Sequence, residues 1–339
     1  MVIELLKKLV DRRDLNEAEA EEAARYIMDG KASEAEMAAF LTALRLKGET
    51  AEEIASIASV MRDRSRSVSA PHDTVDMCGT GGARIKTFNV STVSSIVVAS
   101  AGVPVAKHGN RSFTSRSGSA DVLEKLGVNI QIEPGLAGQM LLSEKITFLF
   151  APSYHPATRN VAPVRKALGF RTVFNLLGPL TNPARVRRQL IGVFSEEYIE
   201  RVAEALLMLG TDRALVVYGR AGMDEISPAG LTEVCEVRNG GIERYQLDSS
   251  EFREYGTEKW SPQPVSDAED SASHALSVLN NTATPGERSI VLINAGACLY
   301  VSGRVPSIVK GVEMALDEIE SGRAAEKLSG FIHASRGGG

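Results

Sequence analysis

A glycine-rich segment with hydroxyl-bearing residues behind it is the first candidate for anion binding. Residues 76–82 read DMCGTGG, and TFNVST follows at 87–92. Glycines let backbone N–H groups surround an anion, because no Cβ blocks the approach. Asn89 or Ser91 is predicted to cap a helix over VSSIVVASAG, whose N-terminus adds unpaired N–H donors. Hydroxyl groups supply further donors or a metal ligand at Thr80, Ser91 and Thr92. The alternative is a tight turn before a buried helix. This alternative stays open because the glycine spacing fits neither the dinucleotide-binding nor the P-loop pattern.

A basic loop forms the second candidate. The segment KHGNRSFTSRSGSAD at 107–121 directly follows the apolar run VPVA. Lys107, Arg111 and Arg116 offer positive charge to phosphates, and Gly118 with Ser119 opens another predicted helix. A solvated surface loop is the alternative. The basic loop follows a predicted buried strand in an acidic protein, which favours a phosphate site.

Two further segments carry charged side chains. Asp224 and Glu225 follow the run ALVVYG, and Mg²⁺ typically takes one or two protein carboxylates. A solvated acidic loop is an equal alternative for this pair. The segment at 154–165 holds His155 and Arg165, and an arginine fork matches a carboxylate bidentately. Either residue alone is more typical of a structural role. Cys78 has no base near it in sequence, so we interpret it as structural and expect no covalent nucleophile.

The elements around these segments indicate an α/β protein. Residues 1–68 predict short helices with capping boxes, in which Asn16 pairs with Glu19, Ser33 with Glu36 and Thr50 with Glu53. The helix after Ser33 places one apolar stripe at Met37, Phe40, Leu41 and Leu44, and Gly48 suits a left-handed end.

Beyond the polar connection RSRSVSAPHDT, apolar runs alternate with helical patterns. VPVA, ITFLFAP, ALVVYG and SIVLINA are predicted strands, which indicates a mainly parallel central sheet covered by helices. Ligands bind such sheets where the strands end. The sequence at 236–286 is polar and irregular, which predicts peripheral strands or turns plus a helix near 271–279. The predicted domains are 1–68 and 69–335, with a disordered tail at 336–339.

Composition excludes several classes of protein. A length of 339 residues favours two packed units, and a net charge of −5 argues against a general nucleic-acid binder. The three cysteines are widely spaced, which is typical of reduced thiols in a cytosol. The sequence shows no secretory signal and no apolar run of the ~20 residues that span a bilayer. We therefore expect a cytoplasmic protein without a membrane partner.

Together these segments resemble the anthranilate phosphoribosyltransferases of tryptophan biosynthesis. The resemblance rests on CGTGG with TFNVST, AKHGNRS with SGSADVLEKLG, HPATRNVAPVRKALGFRTVFNLLGPLTNPA, GMDE and VLINAGACLYVSG. It runs from the N-terminus to about Arg323 and is weakest between Glu236 and Gly286. It implies a small helical domain hinged to a large α/β domain, a homodimer formed through the helical domains, and a lid at 112–117.

The resemblance also implies an activity and a set of site residues. The reaction is transfer from 5-phosphoribosyl 1-diphosphate to anthranilate with one or two Mg²⁺ ions. Magnesium ligands are implied at Ser91, Asp224 and Glu225, and anthranilate contacts at Asn110 and Arg165, with His155 lining the access path. Contacts to the sugar diphosphate are implied at Gly79, Gly82, Ala83, Thr87, Asn89, Val90, Ser91, Thr92, Lys107, His108, Gly109, Asn110, Arg111, Ser112, Ser115 and Ser119.

One position departs from the family pattern. The family usually has Asp after GTGG, where this chain has Ala83. We expect altered magnesium dependence or donor affinity, with activity retained.

Two rival interpretations share the fold. A pyrimidine nucleoside phosphorylase would not need Asp224 with Glu225, and the TFNVST and HPATRNVAPVR segments argue against it. A nucleic-acid-binding relative would show a basic groove and degraded motifs, whereas this chain is acidic and keeps both motif sets apart from Ala83.

Overall fold

The computed structural model describes residues 2–112 and 116–337, and its first part is helical. The helices are α1 (Val2–Val10), α2 (Glu17–Met28), α3 (Glu34–Lys47) and α4 (Ala51–Asp63). Asn16, Ser33 and Thr50 each accept the N–H of a glutamate three residues on, whose carboxylate accepts the N–H of the cap. The three predicted capping boxes are therefore confirmed.

The stripe on α3 is also confirmed, since Met37, Phe40, Leu41 and Leu44 are all buried. Gly48 ends this helix with φ +90° and ψ 122°. The positive φ agrees with the prediction, but ψ lies outside the left-handed helical region. The chain then runs from α4 to the first strand through the predicted connection, in which no helix or strand forms.

The described residues form one seven-stranded sheet in the order β3-β2-β1-β4-β5-β6-β7. Its strands are β1 (Val75–Gly79), β2 (Val105–Gly109), β3 (Ile146–Phe150), β4 (Arg188–Gly192), β5 (Arg213–Gly219), β6 (Leu231–Arg238) and β7 (Gly241–Asp248). Neighbouring strands from β3 to β5 pair in parallel. The last two pairings are antiparallel, which agrees with a mainly parallel sheet.

Helices cover both faces of the sheet. They are α5 (Val90–Ser100), α6 (Ser119–Lys125), α7 (Pro134–Ser143), α8 (Ala151–Tyr154), α9 (Ala162–Leu168), α10 (Phe174–Leu180), α11 (Ile199–Met208), α12 (Ala268–Leu279), α13 (Pro285–Ser302), α14 (Ile308–Glu320) and α15 (Arg323–Ser335). Short 3₁₀ segments occur at Pro156–Asn160, Glu196–Tyr198, Ser249–Tyr255 and Thr257–Lys259. The predicted helix near 271–279 is therefore confirmed within α12.

The prediction of a strand at SIVLINA is wrong, because those residues lie inside α13. The apolar character continues beyond this run, so the helix is buried on nearly all sides and shows no amphipathic period. A buried helix and a buried strand cannot be separated by apolar periodicity. The decisive signals are the length of 18 residues and the start, where Thr284 accepts the N–H of Glu287 and Pro285 is the first helical residue.

Two apolar clusters fill the space on the two faces of the sheet. Alternate residues of β5 point to opposite faces, so Leu215 joins one cluster and Val216 the other. The first cluster packs α5 and α13 on the sheet. The second packs α11 on the opposite face and continues without a break into α1–α4.

Two smaller observations complete the fold. Within the described ranges, no helix combines the length and the apolar character needed to cross a membrane. At the predicted tail, Arg336 donates to the Gly127 carbonyl over 2.7 Å, and residues 338–339 lie outside the described residues.

Candidate active site

The loops that leave the carboxyl ends of the parallel strands surround one cleft. β1 pairs with β2 on one side and β4 on the other, so the strand order reverses direction there. Open α/β sheets bind ligands in the crevice at such a point. The cleft has a volume of ≈ 410 Å³, and Gly79 and Gly192 at the ends of β1 and β4 both line it.

The glycines at these strand ends allow a close approach by the loop after β5. A Cβ on Gly79 would lie 2.4 Å from Asp224 Oδ2, and one on Gly192 would lie 1.5 Å from the Asp224 carbonyl oxygen. The Gly81 N–H donates to Asp224 Oδ2 over 2.9 Å. The glycine loop therefore holds the aspartate in the cleft.

Asp224 and Glu225 form a pair of partly buried carboxylates in the cleft. Burial raises the pKa of Asp224, and burial together with the Asp224 charge raises the pKa of Glu225 well above its usual range. The described residues contain no cluster of three or more His, Cys, Asp or Glu side chains that would hold a metal unaided. A divalent cation fits this pair, since positive charge relieves the repulsion and phosphate oxygens and water complete a Mg²⁺ shell.

Lys107 contributes buried positive charge to the same cleft. Its Nζ donates to the Met77 carbonyl over 2.7 Å and to Ser91 Oγ over 3.2 Å. Burial lowers its pKa, while the charge of Asp76 raises it again. A cation in such a water-poor site interacts with an anion more strongly than it would in water.

Asn89 precedes α5, but its side chain does not cap the helix, contrary to the prediction. The Asn89 Oδ1 atom instead accepts the hydroxyl of Ser271 over 2.8 Å. Ser91 is not a cap either, because α5 begins one residue before it. Polar side chains at this helix start therefore remain in the cleft.

Arg111 lines the cleft, but acidic residues of α6 engage its guanidinium. Nη1 lies 2.8 Å from Asp121 Oδ1, and Nη2 lies 2.8 Å from Glu124 Oε1. Asp121 Oδ2 also accepts the N–H groups of Ser112 and Gly118, over 3.1 and 2.9 Å. The loop ends on either side of residues 113–115 are thereby tied together. Residues 113–115 themselves, with the predicted contact Ser115 and part of the predicted lid, lie outside the described residues.

Two histidines and an arginine also line the cleft. His108 Nδ1 lies 3.0 Å from the Gly178 carbonyl, and its ring centroid is 5.1 Å from that of His155. Burial lowers the pKa of His108 to about 3 and that of His155 to about 4, so both rings are neutral at pH 7. Their Nε2 atoms are buried without a hydrogen-bond partner among the described residues.

Arg165 reaches the cleft from α9. Its guanidinium carbon lies 5.3 Å from the ring centroid of Phe174, and burial lowers its pKa. A planar aromatic carboxylate would meet a ring, a guanidinium and neutral imidazoles here.

Most of the predicted site residues meet in this one cleft. Thr92 does not line it, because this residue of α5 is only 1% exposed and its hydroxyl oxygen is buried. The others within the described ranges line the cleft: Gly79, Gly82, Ala83, Thr87, Asn89, Val90, Ser91, Lys107, His108, Gly109, Asn110, Arg111, Ser112, Ser119, His155, Arg165, Asp224 and Glu225.

Sequence reasoning missed Asn294 and Asn175, which also line the cleft. Asn294 accepts the Ile226 N–H and donates to the Ile226 carbonyl, both over 3.0 Å, so it fixes the backbone beside Glu225. Its signal in the sequence is a polar residue within the apolar run VLINAG. Asn175 accepts the Thr172 N–H over 3.0 Å at the start of α10.

Comparisons with known proteins agree with this geometry. Residues 3–65 match the helical bundle domain of a glycosyl transferase family, and residues 71–325 match its a/b domain. The chain is 48% identical over 338 residues to the anthranilate phosphoribosyltransferase of Rubrobacter xylanophilus, covering 99% of this chain and 98% of that protein. The corresponding protein of Geobacillus kaustophilus is 46% identical over 328 residues, covering 97% and 96% of the two chains.

Solved structures give the same result. The anthranilate phosphoribosyltransferase of Thermus thermophilus superposes with a TM-score of 0.88 at 40% identity, covering 98% of this chain and 99% of that one. For the Saccharomyces cerevisiae anthranilate phosphoribosyltransferase in complex with PRPP and Mg, the TM-score is 0.88 at 28% identity, covering 99% of this chain and 98% of that one. By sequence and fold, the chain belongs to the anthranilate phosphoribosyltransferase family.

Proposed function

We propose that this protein transfers the 5-phosphoribosyl group from 5-phosphoribosyl 1-diphosphate to anthranilate, releasing diphosphate. One observation carries the proposal: two chemically different sets of residues line a single cleft. The glycine loop, Lys107 and the acidic pair suit a magnesium diphosphate. Arg165 and the neutral His155 suit a small aromatic carboxylate. The family relationship supports the same pairing of substrates.

The donor is bound from the β1 and β2 sides of the cleft. The open backbone at 79–82 and the buried ammonium of Lys107 approach the diphosphate, and the remaining cleft-lining contacts surround the ribose phosphate. Asp224, Glu225 and Ser91 are the residues that would hold magnesium. When bound, Mg²⁺ neutralises charge that develops on the departing diphosphate.

The acceptor is bound on the side formed by α9 and α10. Arg165 pairs with the anthranilate carboxylate, Asn110 contacts the acceptor, and His155 lines its path into the cleft. The cation–π contact with Phe174 limits the directions in which the guanidinium can point. The amine of anthranilate then approaches the ribose carbon from the side opposite the leaving group.

The residues favour direct transfer without a covalent enzyme intermediate. Burial and the nearby Asp76 raise the pKa of Cys78 well above its usual range, so this thiol in the cleft is not a thiolate at pH 7. The carbon–oxygen bond to diphosphate breaks as the carbon–nitrogen bond forms, and the amine nitrogen then loses one proton to water. An aryl amine is neutral near pH 7, so positioning and electrostatic stabilisation carry the reaction.

A fluorescence assay with anthranilate, the donor and a magnesium series tests this function. We expect consumption of anthranilate that requires both donor and metal. Replacing both carboxylates (Asp224→Asn with Glu225→Gln) should lower kcat/KM by a factor on the order of 10². The exposed Asp73→Asn serves as the matched control. Folded protein that consumes no anthranilate, or that cleaves a pyrimidine nucleoside with phosphate, would overturn the proposal.

We further infer a homodimer that forms through the helical part of the chain, and a cytoplasmic location. Three large apolar side chains stand exposed on α1 and α3, with Ile3 at 59%, Val10 at 71% and Leu46 at 75%. Burying such residues against a second copy removes apolar surface from water. Light scattering should give twice the chain mass, and Val10→Glu with Leu46→Glu should shift it towards the monomer. The three free thiols suit a reducing compartment.

A further inference from the structure

The start of α5 rests on a residue far away in sequence. Ser271 in α12 is fully buried and makes two hydrogen bonds with Asn89. Its Oγ accepts the Asn89 backbone N–H over 3.1 Å and donates to Asn89 Oδ1 over 2.8 Å. A hydroxyl carries one proton, and here that proton goes to the amide oxygen.

This pair of bonds sets the orientation of the Asn89 amide. If the amide were flipped, its NH₂ group would face Ser271 and the hydroxyl proton would lose its acceptor. An unmade buried hydrogen bond is costly, so the observed orientation is favoured. It directs Nδ2 towards the carbonyl of Ser117, 3.5 Å away, a residue that also lines the cleft.

A second contact from α12 supports the same segment. His274 stacks on Phe88, with ring centroids 5.5 Å apart and planes inclined by 14°. Glu287 of α13 hydrogen-bonds Nδ1 of that histidine. Residues 88 and 89 are thus held by side chains one helical turn apart on α12.

We propose that Ser271 is a positioning residue for the phosphoribosyl donor. By holding Asn89 Oδ1, it prevents this side chain from capping α5 and turns the amide N–H groups towards the donor. The inference deepens the proposed function and rests on it. It assigns a part in donor binding to residues 268–279, which lie in the stretch where the family resemblance is weakest.

Donor binding measured by calorimetry in the presence of Mg²⁺ tests this role. Ser271→Ala should raise the donor Kd about fivefold to tenfold, the factor expected for one lost hydrogen bond. Ser271→Thr keeps the hydroxyl and should restore most of the affinity. Ser273→Ala makes the same change at an exposed site of the same helix and should leave the Kd unchanged.

A double-mutant cycle separates positioning from a general packing effect. If Ser271 acts through Asn89, then Ser271→Ala should add little to the Kd of Asn89→Ala. The anthranilate KM should change less than about twofold in Ser271→Ala, because that substrate is bound by Arg165 and Asn110 and not by Asn89. Additive effects, an unchanged Kd, or an equal loss for both substrates would overturn the proposal.

A further variant covers the case in which Ser271→Ala fails to fold. Asn89→Asp keeps an oxygen for Ser271 but removes the N–H donors, so it should weaken donor binding at least as much as Asn89→Ala. Tighter binding by Asn89→Asp would contradict the assignment. If the wild-type protein itself binds no donor, the proposed function is wrong, and the role of Ser271 that rests on it is wrong as well. If the wild type binds the donor but the Ser271 variants do not differ from it, only the role of Ser271 is wrong.

Discussion

Asn182 donates from Nδ2 to the buried carboxylate of Asp76 over 2.8 Å, and to the Ala106 carbonyl over 2.8 Å. This amide ties β1 to β2 directly beneath the cleft. Burial raises the pKa of Asp76, whereas the charge of Lys107 and the Asn182 hydrogen bond lower it. The carboxylate in turn raises the pKa of Lys107, so the two charges stabilise each other.

Removing that carboxylate should therefore weaken donor binding in a pH-dependent way. In Asp76→Asn the pKa of Lys107 falls further, because burial still disfavours the ammonium and its counter-charge is gone. We expect the donor KM to rise about tenfold at pH 7, and by a larger factor as the pH increases, because the loss of the Lys107 proton is shifted to lower pH. Steady-state kinetics between pH 7 and 9 measures this, with the exposed Asp73→Asn as control. A donor KM equal to that of the wild type across this range would refute the coupling.

Arg165→Ala should separate the two substrates. If the guanidinium pairs with the anthranilate carboxylate, its loss raises the anthranilate KM by a factor on the order of 10², while the donor KM changes little. The neighbouring exposed Lys166→Ala is the control for a lost positive charge on α9. Equal increases in both KM values would show that Arg165 acts on the cleft as a whole.

Ala83→Asp tests the position that departs from the family pattern. Ala83 is 8% exposed and lines the cleft, close to the glycine loop that holds Asp224. A third carboxylate there should strengthen magnesium binding, so half-maximal activity should come at a lower magnesium concentration. A magnesium titration of both proteins at saturating donor checks the shift. Superimposable titration curves would count against the prediction.

The two buried histidines should make the folded state acid-sensitive. Their pKa values fall from 6.5 to about 3 for His108 and about 4 for His155. Below pH 6.5 the unfolded chain therefore binds more protons, and stability declines as the pH falls towards 4. Each histidine should lower the free energy of unfolding at pH 5 by about 2 kcal/mol relative to pH 7.

Urea unfolding of His155→Gln at pH 7 and pH 5 measures this cost. Between pH 7 and pH 5, the free energy of unfolding of the variant should fall by about 2 kcal/mol less than that of the wild type. His72→Gln, at a histidine side chain that is 71% exposed, should behave as the wild type. An identical loss in His155→Gln would mean that other groups cause the acid sensitivity.

Sequence reasoning succeeded where the cause is local. The capping boxes at Asn16, Ser33 and Thr50 act over three residues, so they are visible in the chain and present in the structure. It failed where a distant partner decides the outcome. Asn89 is a good cap by residue type, but Ser271 binds its side chain from 182 positions away.

Burial on all sides caused the other main error. The helix α13 lacks a polar face, so its apolar run was predicted as a strand. The meeting of these residues in one cleft was largely predictable, since glycine loops, carboxylates and an arginine follow strands whose ends must converge. Asn294 was missed because its polar atoms serve the backbone of Ile226 and follow no motif.

The apolar core that joins α1–α4 to α11 also includes Val164 of α9 and Leu177 of α10. Asn160, just before α9, donates to the Met28 carbonyl over 3.0 Å, and Arg62 donates to the Leu180 carbonyl. The helical unit is therefore discontinuous in the chain, because the polypeptide leaves it near residue 68 and returns at 156–180. Cutting the gene at residue 68 would separate α9 and α10 from the helices that support them. A chimera that exchanges helical units between relatives would have to carry both segments to keep Arg165 in place.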